Sequence, residues 1–150
     1  MFMQKKEYDI DSKLNPETVA EMGVVYHTPF SRAQIARSGI ATTFLLDLMK
    51  LFDFKKQETA TLIDISTKTL DRHLKMNKPF TGLQSDRILE LAELYRRGEE
   101  VFGNNEKFIK WLDSKLAVLK NTTPKEWLDT QQGIKAIMIE LGRIKHGIFA

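Results

Sequence analysis

Residues 55–76 decide the fold of this chain, and they read KKQETATLIDISTKTLDRHLKM. In the first part of the stretch, Ala60 with Leu62 and Ile63 gives a helix an apolar inner face. Ile65 then stands where it can fill a tight turn, and a second helical pattern begins after it. The stretch therefore predicts two short helices joined by a tight turn.

The second helix of this pair has one apolar side and one polar side. Ser66 is a suitable N-cap, because its side-chain oxygen can accept a hydrogen bond from a backbone N–H two or three residues later. Leu70 and Leu74 lie four residues apart, so both face inward. The side chains left on the outside are Thr67, Lys68, Asp71, Arg72 and Lys75. This arrangement predicts a helix-turn-helix, whose second helix enters the DNA major groove.

The turn of this motif lacks the glycine that is expected there. Asp64 stands in its place, and aspartate tolerates the left-handed backbone angles that such a turn needs. An ordinary helical hairpin with a solvated polar face is the alternative interpretation of the same residues.

The composition is that of an ordinary globular protein. Of the 150 residues, 42% are apolar and 29% are charged, which is enough apolar material for a core. Cysteine is absent, which excludes disulfide bonds and thiolate chemistry. No stretch approaches the roughly 18 apolar residues of a membrane span, and the first residues lack an apolar signal region. We expect a cytoplasmic protein that does not bind a membrane.

The net charge of +3 is small, so its distribution matters more than its size. Acidic and basic side chains are equal in number over residues 40–103. Only the outer face of the second helix is locally basic, with Lys68, Arg72, Lys75 and Lys78 against Asp71. Because affinity for DNA rises with the number of phosphates neutralised, we expect that a homodimer is needed to bind DNA.

The chain divides into three segments, and the pattern predicts an all-α fold. Residues 1–39 lack a sustained period and are expected to form a partly ordered N-terminal arm, with one or two helical turns over residues 31–37. Residues 40–103 form the predicted helix-turn-helix DNA-binding domain, in which a first helix spans 41–52 and a long helix begins near Ser85 and ends at Gly103. Residues 104–150 form a small helical C-terminal domain.

The C-terminal domain carries several signals for helix starts. Asn105 can cap a short helix, and TPKE at residues 123–126 has the spacing of a capping box with proline at the first helical position. Thr130 can cap a final helix that ends at Gly147. One apolar stripe runs along that final helix: Ile134, Ile137, Met138, Leu141 and Ile144.

Three blocks of sequence, in this order, resemble the Xre/MbcA/ParS family of antitoxins. They are ISTKTLDRHLK at 65–75, SDRILELAELYRRGEEVFGNNEKFIKWL at 85–112 and TPKEWLDTQQGIKAIMIELGRIKHG at 123–147. The SDR, VFG, WL, TPxxxL, T-x-x-G and L-x-R-I-x-x-G elements all match the family. The resemblance covers about residues 40–150.

The resemblance implies a type II antitoxin with an Xre-like DNA-binding part and a C-terminal toxin-binding part. It implies a partner toxin with a RES domain that degrades NAD, or a related ADP-ribosylating toxin. It also implies that the antitoxin dimerises, covers the active site of the toxin and represses its own operon. One departure is visible, because the family often has two consecutive arginines in the recognition helix where this chain has Arg72 and His73. Histidine is the weaker cation near neutral pH.

We expect operator DNA to contact one face of the recognition helix. Ser66 and Thr67 are assigned to phosphates at the helix N-terminus, whereas Thr69 and Arg72 are better placed for base edges. The predicted DNA-binding set is Ser66, Thr67, Lys68, Thr69, Arg72, His73 and Lys75. A solvated helix face without DNA contact is the alternative.

We expect protein contacts from the C-terminal domain, because so apolar a final helix is poorly covered by a short neighbour alone. The predicted dimer or toxin interface is Trp127, Ile137, Met138, Leu141 and Ile144. The predicted toxin-binding set is Arg143, Lys145, Gly147, Ile148, Phe149 and Ala150. In this hypothesis Ile148 and Phe149 enter the cofactor cleft of the toxin. Core packing and a frayed terminus are the alternative interpretations.

The chain offers little chemistry of its own. Its three histidines are scattered, and no His or carboxylate spacing typical of a metal site occurs. Walker, G-x-G-x-x-G and G-x-S-x-G motifs are absent. We expect no enzymatic activity, no cofactor and no metal. The rival functions are a stand-alone dimeric transcriptional regulator without a toxin, and an interaction protein whose helix-turn-helix has no DNA affinity.

Overall fold

Seven α-helices follow one another through residues 29–147, which are the residues that this computed structural model describes. They are α1 (Pro29–Ser38), α2 (Thr42–Phe52), α3 (Lys56–Leu62), α4 (Thr67–Met76), α5 (Gly82–Phe102), α6 (Asn105–Leu112) and α7 (Gln131–Lys145). Two short 3₁₀ helices, Ala117–Leu119 and Pro124–Trp127, lie between α6 and α7. The prediction of an all-α fold is confirmed. None of the described helices has the length and apolarity of a membrane span.

Helices α3 and α4 form the expected helix-turn-helix. Ile63 is fully buried at the end of α3, and the Ile65 backbone N–H donates to the carbonyl of Ala60 at 3.0 Å across the turn. Asp64 has a φ of 59°, the left-handed conformation for which a glycine is usual. The substitution of aspartate for the expected glycine therefore leaves the turn geometry intact.

The long helix α5 is the centre of the molecule, and α1, α2, α6 and α7 all pack against it. Its inner side chains, among them Leu91, Leu94 and Tyr95, are almost completely buried. The Tyr95 ring meets Phe52 of α2 edge-on at 5.4 Å between centroids and Phe108 of α6 at 6.0 Å. Each buried apolar side chain contributes about 1.5–3 kcal/mol. The helix-turn-helix and the C-terminal helices therefore share one core.

Two glycines allow backbone segments to approach closely around this core. A Cβ atom at Gly98 would lie 2.2 Å from the ring of Phe108, so α6 can pack on α5 only at a glycine. A Cβ atom at Gly133 would lie 1.7 Å from the carbonyl oxygen of Trp127. The second contact explains the T-x-x-G element, because Thr130 caps α7 while Gly133 lets the preceding 3₁₀ helix lie against it.

The predicted N-terminal arm contains more structure than expected. Where one or two helical turns were expected over residues 31–37, α1 spans ten residues and packs on α5. No side chain of α1 is fully buried, although Ile35 contacts the core. Such a weak apolar pattern explains why the sequence did not reveal the full helix. Residues 1–28 of the predicted arm lie outside the described residues.

Two predicted N-caps are wrong. Helix α5 begins at Gly82, and the Ser85 hydroxyl is buried and donates to the carbonyl of Phe80 instead of capping. Helix α6 is capped by Asn104, whose side chain accepts from the Lys107 N–H at 2.8 Å. Asn105 instead donates from Nδ2 to the carbonyl of Leu51 at 2.7 Å and to the Tyr95 hydroxyl at 2.9 Å. The Ser85 partner lies five residues earlier, before the helix begins, whereas the Leu51 partner of Asn105 is 54 residues away.

The other predicted caps are confirmed. Ser66 accepts from the Thr69 N–H, and Thr130 accepts from the Gly133 N–H. Thr123 and Glu126 form the reciprocal capping box, which opens a 3₁₀ helix. Gly103 ends α5 with a φ of 81°. Each of these signals depends only on neighbours within a few residues.

The close contact at Gly133 yields a matched pair of substitutions on α7. Gly133→Ala should lower the free energy of unfolding by about 1–3 kcal/mol, because the new methyl group meets backbone that cannot rotate away. Gly142→Ala should raise it by up to about 1 kcal/mol, since nothing lies within 4 Å of a Cβ atom there and alanine favours a helix interior. Urea unfolding followed by circular dichroism measures both. Equal stability of the two variants would contradict the described packing.

Candidate functional site

The N-terminus of α4 is held by Ser66 and Thr69. The Ser66 Oγ accepts from the Thr69 N–H at 3.0 Å and donates to the Thr69 Oγ1 at 2.9 Å. Ser66 and Thr67 are exposed and Thr69 is half-buried. The three residues lie at the positive end of the helix dipole, where an anion such as a phosphate is stabilised.

The cations predicted to contact DNA form an exposed row on α4. Lys68, Arg72 and Lys75 are exposed, and within residues 29–147 no carboxylate lies within ion-pair distance of them. Asp71, the acidic residue of this face, instead pairs with Lys56 of α3 at 2.6 Å. The α4 face is therefore a net positive surface of the kind that attracts phosphates.

His73 has a packing role that the sequence did not indicate. Its ring stacks on Phe80 with 4.5 Å between centroids, and its Nδ1 lies 2.9 Å from the carbonyl oxygen of Lys78, which accepts the hydrogen bond. The Lys78 N–H in turn donates to the His73 carbonyl at 2.9 Å. His73 thus holds the segment after α4 in place and sets the position of Lys78 beside the basic row.

Helix α4 is anchored from below and at its C-terminal end. Leu70 is fully buried and Leu74 is half-buried against the core, as expected. At the C-terminal end, Asn77 adopts the left-handed conformation, and its Oδ1 accepts from the buried Thr42 hydroxyl at 2.6 Å. Because both ends are fixed, the exposed cations are presented by a rigid element.

The predicted interface on α7 needs correction. Ile137 and Leu141 are 0% and 1% exposed, because both pack into the core of the single subunit beside α5. These two residues cannot belong to an interface between subunits without unfolding of the helix from the core. Met138 and Ile144 are half-buried and remain accessible.

Trp127 keeps one exposed side while its indole N–H is satisfied. It is 41% exposed, and its Nε1 donates to the Thr122 Oγ1 at 2.7 Å. This hydrogen bond fixes the ring on the outside of the C-terminal domain. Trp127 therefore remains a candidate for protein contacts.

The predicted toxin-binding residues are only partly described. Arg143 is exposed and pairs with Glu140 at 3.4 Å, and Lys145 pairs with Glu100 of α5. Gly147 is exposed, with a φ of 67° that ends the helical region. The last three predicted residues, Ile148, Phe149 and Ala150, lie outside the described residues.

A charge network connects α5 with the end of α7. Glu93 accepts hydrogen bonds from Arg96 at 2.9 Å and from Arg97 at 3.0 Å, and Arg96 also reaches Glu100. Burial raises the pKa of Glu93, but the hydrogen bonds from the two arginines outweigh it, so the pKa is lowered overall. The hydrogen bond from Lys145 lowers the pKa of Glu100. Both carboxylates are therefore stabilised in the ionised form.

Lys125 connects the C-terminal domain with the helix-turn-helix. Its Nζ lies 2.9 Å from the Glu58 Oε2 on α3, 3.8 Å from the Asp113 Oδ1, and 5.3 Å from the centroid of the Phe54 ring. Glu58 belongs to α3, the helix that precedes α4. The sequence marked Lys125 only as a member of the capping box, so this contact was missed.

No cluster of three or more potential metal ligands occurs among residues 29–147. The expectations of no metal, no cofactor and no catalytic residue remain predictions.

Two family models match the chain, one after the other. A model described as the antitoxin Xre-like helix-turn-helix domain matches residues 31–93. A model described as the antitoxin Xre/MbcA/ParS C-terminal toxin-binding domain matches residues 97–147. The predicted DNA-binding row lies in the first region, and the predicted protein-binding residues as far as Gly147 lie in the second. The exact domain boundaries remain predictions.

Several named proteins are similar to most of the chain. A protein named Antitoxin Xre from Photorhabdus laumondii is 26% identical over 76% of this chain and 78% of its own length. Another Antitoxin Xre, from Pseudomonas putida, is 29% identical over 73% of this chain and 67% of its own length. A protein named Prs ADP-ribosylating antitoxin, from a Sphingobium species, is 24% identical over 82% of this chain and 83% of its own length.

The charge network predicts an acid-sensitive contribution to stability. The pKa of Glu93 is lower in the folded protein than its ordinary value of 4.5, so its ionised form stabilises the fold above that pH. This stabilisation is lost as the pH falls through the folded pKa. Glu93→Gln should therefore be less stable than the natural protein at pH 7, and the difference should shrink below pH 4.5.

Chemical unfolding at several pH values measures this effect. Glu100→Gln is the matched comparison from the same network, and its effect should be smaller, because the Glu100 side chain is 45% exposed and that of Glu93 is 15% exposed. A constant difference between Glu93→Gln and the natural protein across the pH range would contradict the assignment.

Proposed function

This chain belongs to the Xre/MbcA/ParS family of antitoxins, and from that premise we propose that it neutralises the toxin of its own pair and represses their shared operon by binding operator DNA. The observation that carries the proposal is the combination of an exposed cation row on α4 with a toxin-binding family match on the same core. A protein of this kind acts by binding and needs no catalytic group.

The proposed DNA contact uses α4 as the recognition helix. The helix N-terminus with Ser66 and Thr67 binds phosphate, Arg72 and Thr69 reach base edges, and Lys68 with Lys75 neutralises phosphates. Lys78 extends the same basic face. Few phosphates are neutralised by one such face, so operator binding requires a homodimer that presents two recognition helices to successive half-sites.

The proposed toxin contact uses the C-terminal domain. We propose a RES-domain toxin that consumes NAD as the partner, and steric exclusion of NAD as the mechanism of inhibition. Residues accessible for this contact include Trp127, Met138, Ile144 and Arg143. The segment from residue 148 to residue 150 is proposed to enter the active site. It carries two large apolar side chains at the chain end.

An ADP-ribosylating toxin is the second candidate for the partner. The relative that is named Prs ADP-ribosylating antitoxin favours it, since that protein aligns with 82% of this chain. The two candidates differ in what happens to NAD. A RES toxin destroys the NAD pool, whereas an ADP-ribosylating toxin transfers a group from NAD to a macromolecule.

Operator binding should depend on specific cations of α4. Arg72→Ala should weaken binding to the promoter DNA of the chain's own operon by about 1–3 kcal/mol, which is roughly 5-fold to 150-fold, because a base-edge contact is lost. Lys75→Ala should weaken binding to all DNA sequences alike and reduce the slope of log affinity against log salt by about one.

Fluorescence anisotropy at several salt concentrations measures both effects. Lys110→Ala is the control, since Lys110 is an exposed lysine on α6 outside the basic row. If Arg72→Ala, Lys75→Ala and Lys110→Ala bind the promoter equally well, the row does not contact DNA.

Neutralisation should depend on the last residues of the chain. Co-expression with the adjacent toxin gene should restore growth, and deletion of residues 148–150 should weaken this protection while the oligomeric state is unchanged. A growth assay with parallel measurement of cellular NAD tests this. Loss of NAD in unprotected cells supports a RES toxin, whereas ADP-ribosylated protein at preserved NAD supports the alternative. Full protection by the truncated protein would rule out the proposed role of the tail.

A further inference from the structure

Helix α7 carries an apolar side chain, Ile139, on the side that faces away from the core. Its inner face is occupied by Ile134, Ile137 and Leu141, all of which are buried. Ile139 points outward and is 60% exposed, although isoleucine is among the residues most often buried in proteins. The fold does not bury this side chain, so it is accessible to a partner.

Ile139 borders a cleft that three helices form together. The cleft has a volume of about 470 Å³. Its lining residues come from α1, α5 and α7: Arg32, Glu93, Arg97, Lys135, Met138 and Ile139. Methionine adapts its shape to different partners, so Met138 with Ile139 forms a deformable apolar floor. The size is suited to a few side chains of a protein segment.

The rim of this cleft is positively charged. Lys135 is exposed, and no ion pair of its ammonium group occurs within residues 29–147. Arg32 and Arg97 also line the cleft, and Arg97 is paired with Glu93, which lines it too. Three cations therefore stand against one carboxylate in the lining, which leaves it net positive. An anionic group that enters the cleft therefore meets an attractive field.

We infer that this cleft binds a segment of the toxin in which an apolar side chain is flanked by aspartate or glutamate. The inference rests on the proposed function and names the surface that performs it. The apolar side chain packs on Ile139 and Met138, and a flanking carboxylate meets Lys135. The α7 part of the cleft lies within residues 97–147, which match the toxin-binding family model.

A second copy of this chain fits the cleft poorly. In a twofold contact the same surface of both subunits meets, so two linings that are each net positive would lie against each other. Like charges in direct contact disfavour such an association. The complementary partner is an acidic one, which is why the inference commits to the toxin segment.

The first test removes the apolar centre of the surface. Ile139→Asp should raise the dissociation constant for a catalytically inactive variant of the adjacent-gene toxin by at least about tenfold, since a central apolar contact is replaced by a repelled charge. Val118→Asp is the matched control, because Val118 is 45% exposed in the same domain but lies outside the cleft lining. The dissociation constant of Val118→Asp for the same toxin should equal that of the natural protein.

The second test reverses the charge of the rim. Lys135→Glu should raise the dissociation constant about fivefold at low salt and by less at high salt, because screening weakens the contact. Lys107→Glu is the control, since Lys107 is exposed in the first turn of α6, where an acidic residue is tolerated by the helix dipole. Circular dichroism and thermal unfolding verify that all four variants remain folded.

The outcomes separate this inference from the proposed function. If the natural protein does not bind the toxin, the proposed function fails and the surface assignment fails with it. If it binds and both Ile139→Asp and Lys135→Glu bind equally well, the function stands and the surface assignment is overturned.

Two further measurements detect other occupants of the cleft. Sedimentation that shows Ile139→Asp as a monomer and the natural protein as a dimer would assign the face to self-association. Hydrogen exchange in α7 that accelerates when residues 1–28 are removed from the free protein would assign it to the chain itself. Either result would overturn the inference.

Discussion

The structure depends on the burial of α5 by elements from both halves of the chain. Helices α1 and α2 cover it from the N-terminal side, and α6 and α7 cover it from the C-terminal side. Leu94 and Tyr95 of α5 are fully buried, because the helices packed around α5 shield them from water. As a result, the helix-turn-helix and the C-terminal helices are parts of a single packed core in the described residues.

This shared core gives the two binding surfaces a physical connection. Lys125 of the C-terminal region contacts Glu58 of α3, and α3 packs directly against α4. Asn105 of α6 also donates to the carbonyl of Leu51 on α2. Within residues 29–147, the C-terminal helices therefore contact the same core that carries α4.

In the part of the chain that the structure describes, the charged side chains of α5 and α7 are mostly paired within the chain, whereas those of α4 are mostly unpaired. On α5 and α7, carboxylates and cations such as Glu93 with Arg96 satisfy each other within the chain. On α4, the pairing of Asp71 with Lys56 compensates the acidic charge, and Arg72, Lys68 and Lys75 have no carboxylate within ion-pair distance among the described residues. Although acidic and basic residues are equal in number over residues 40–103, the outer face of α4 is therefore locally basic.

The sequence by itself determined the features that depend on residues close to one another along the chain. The helix-turn-helix and the caps at Ser66 and Thr130 were predictable, because an N-cap and its partner lie three residues apart. The family, too, was recognisable from the order of its short motifs. The predicted DNA-binding and toxin-binding contacts remain predictions.

Only the tertiary structure decided which side chains are covered by distant segments. It gave Asn105 a partner 54 residues away, and it buried Ile137 and Leu141 in the core of their own subunit, where the sequence had predicted an interface. The apolar stripe of an amphipathic helix carries the same local signal whether it faces the core of its own subunit or another protein. The arrangement of helices around α5 makes that distinction, because burial depends on neighbours that the periodicity of one helix does not specify.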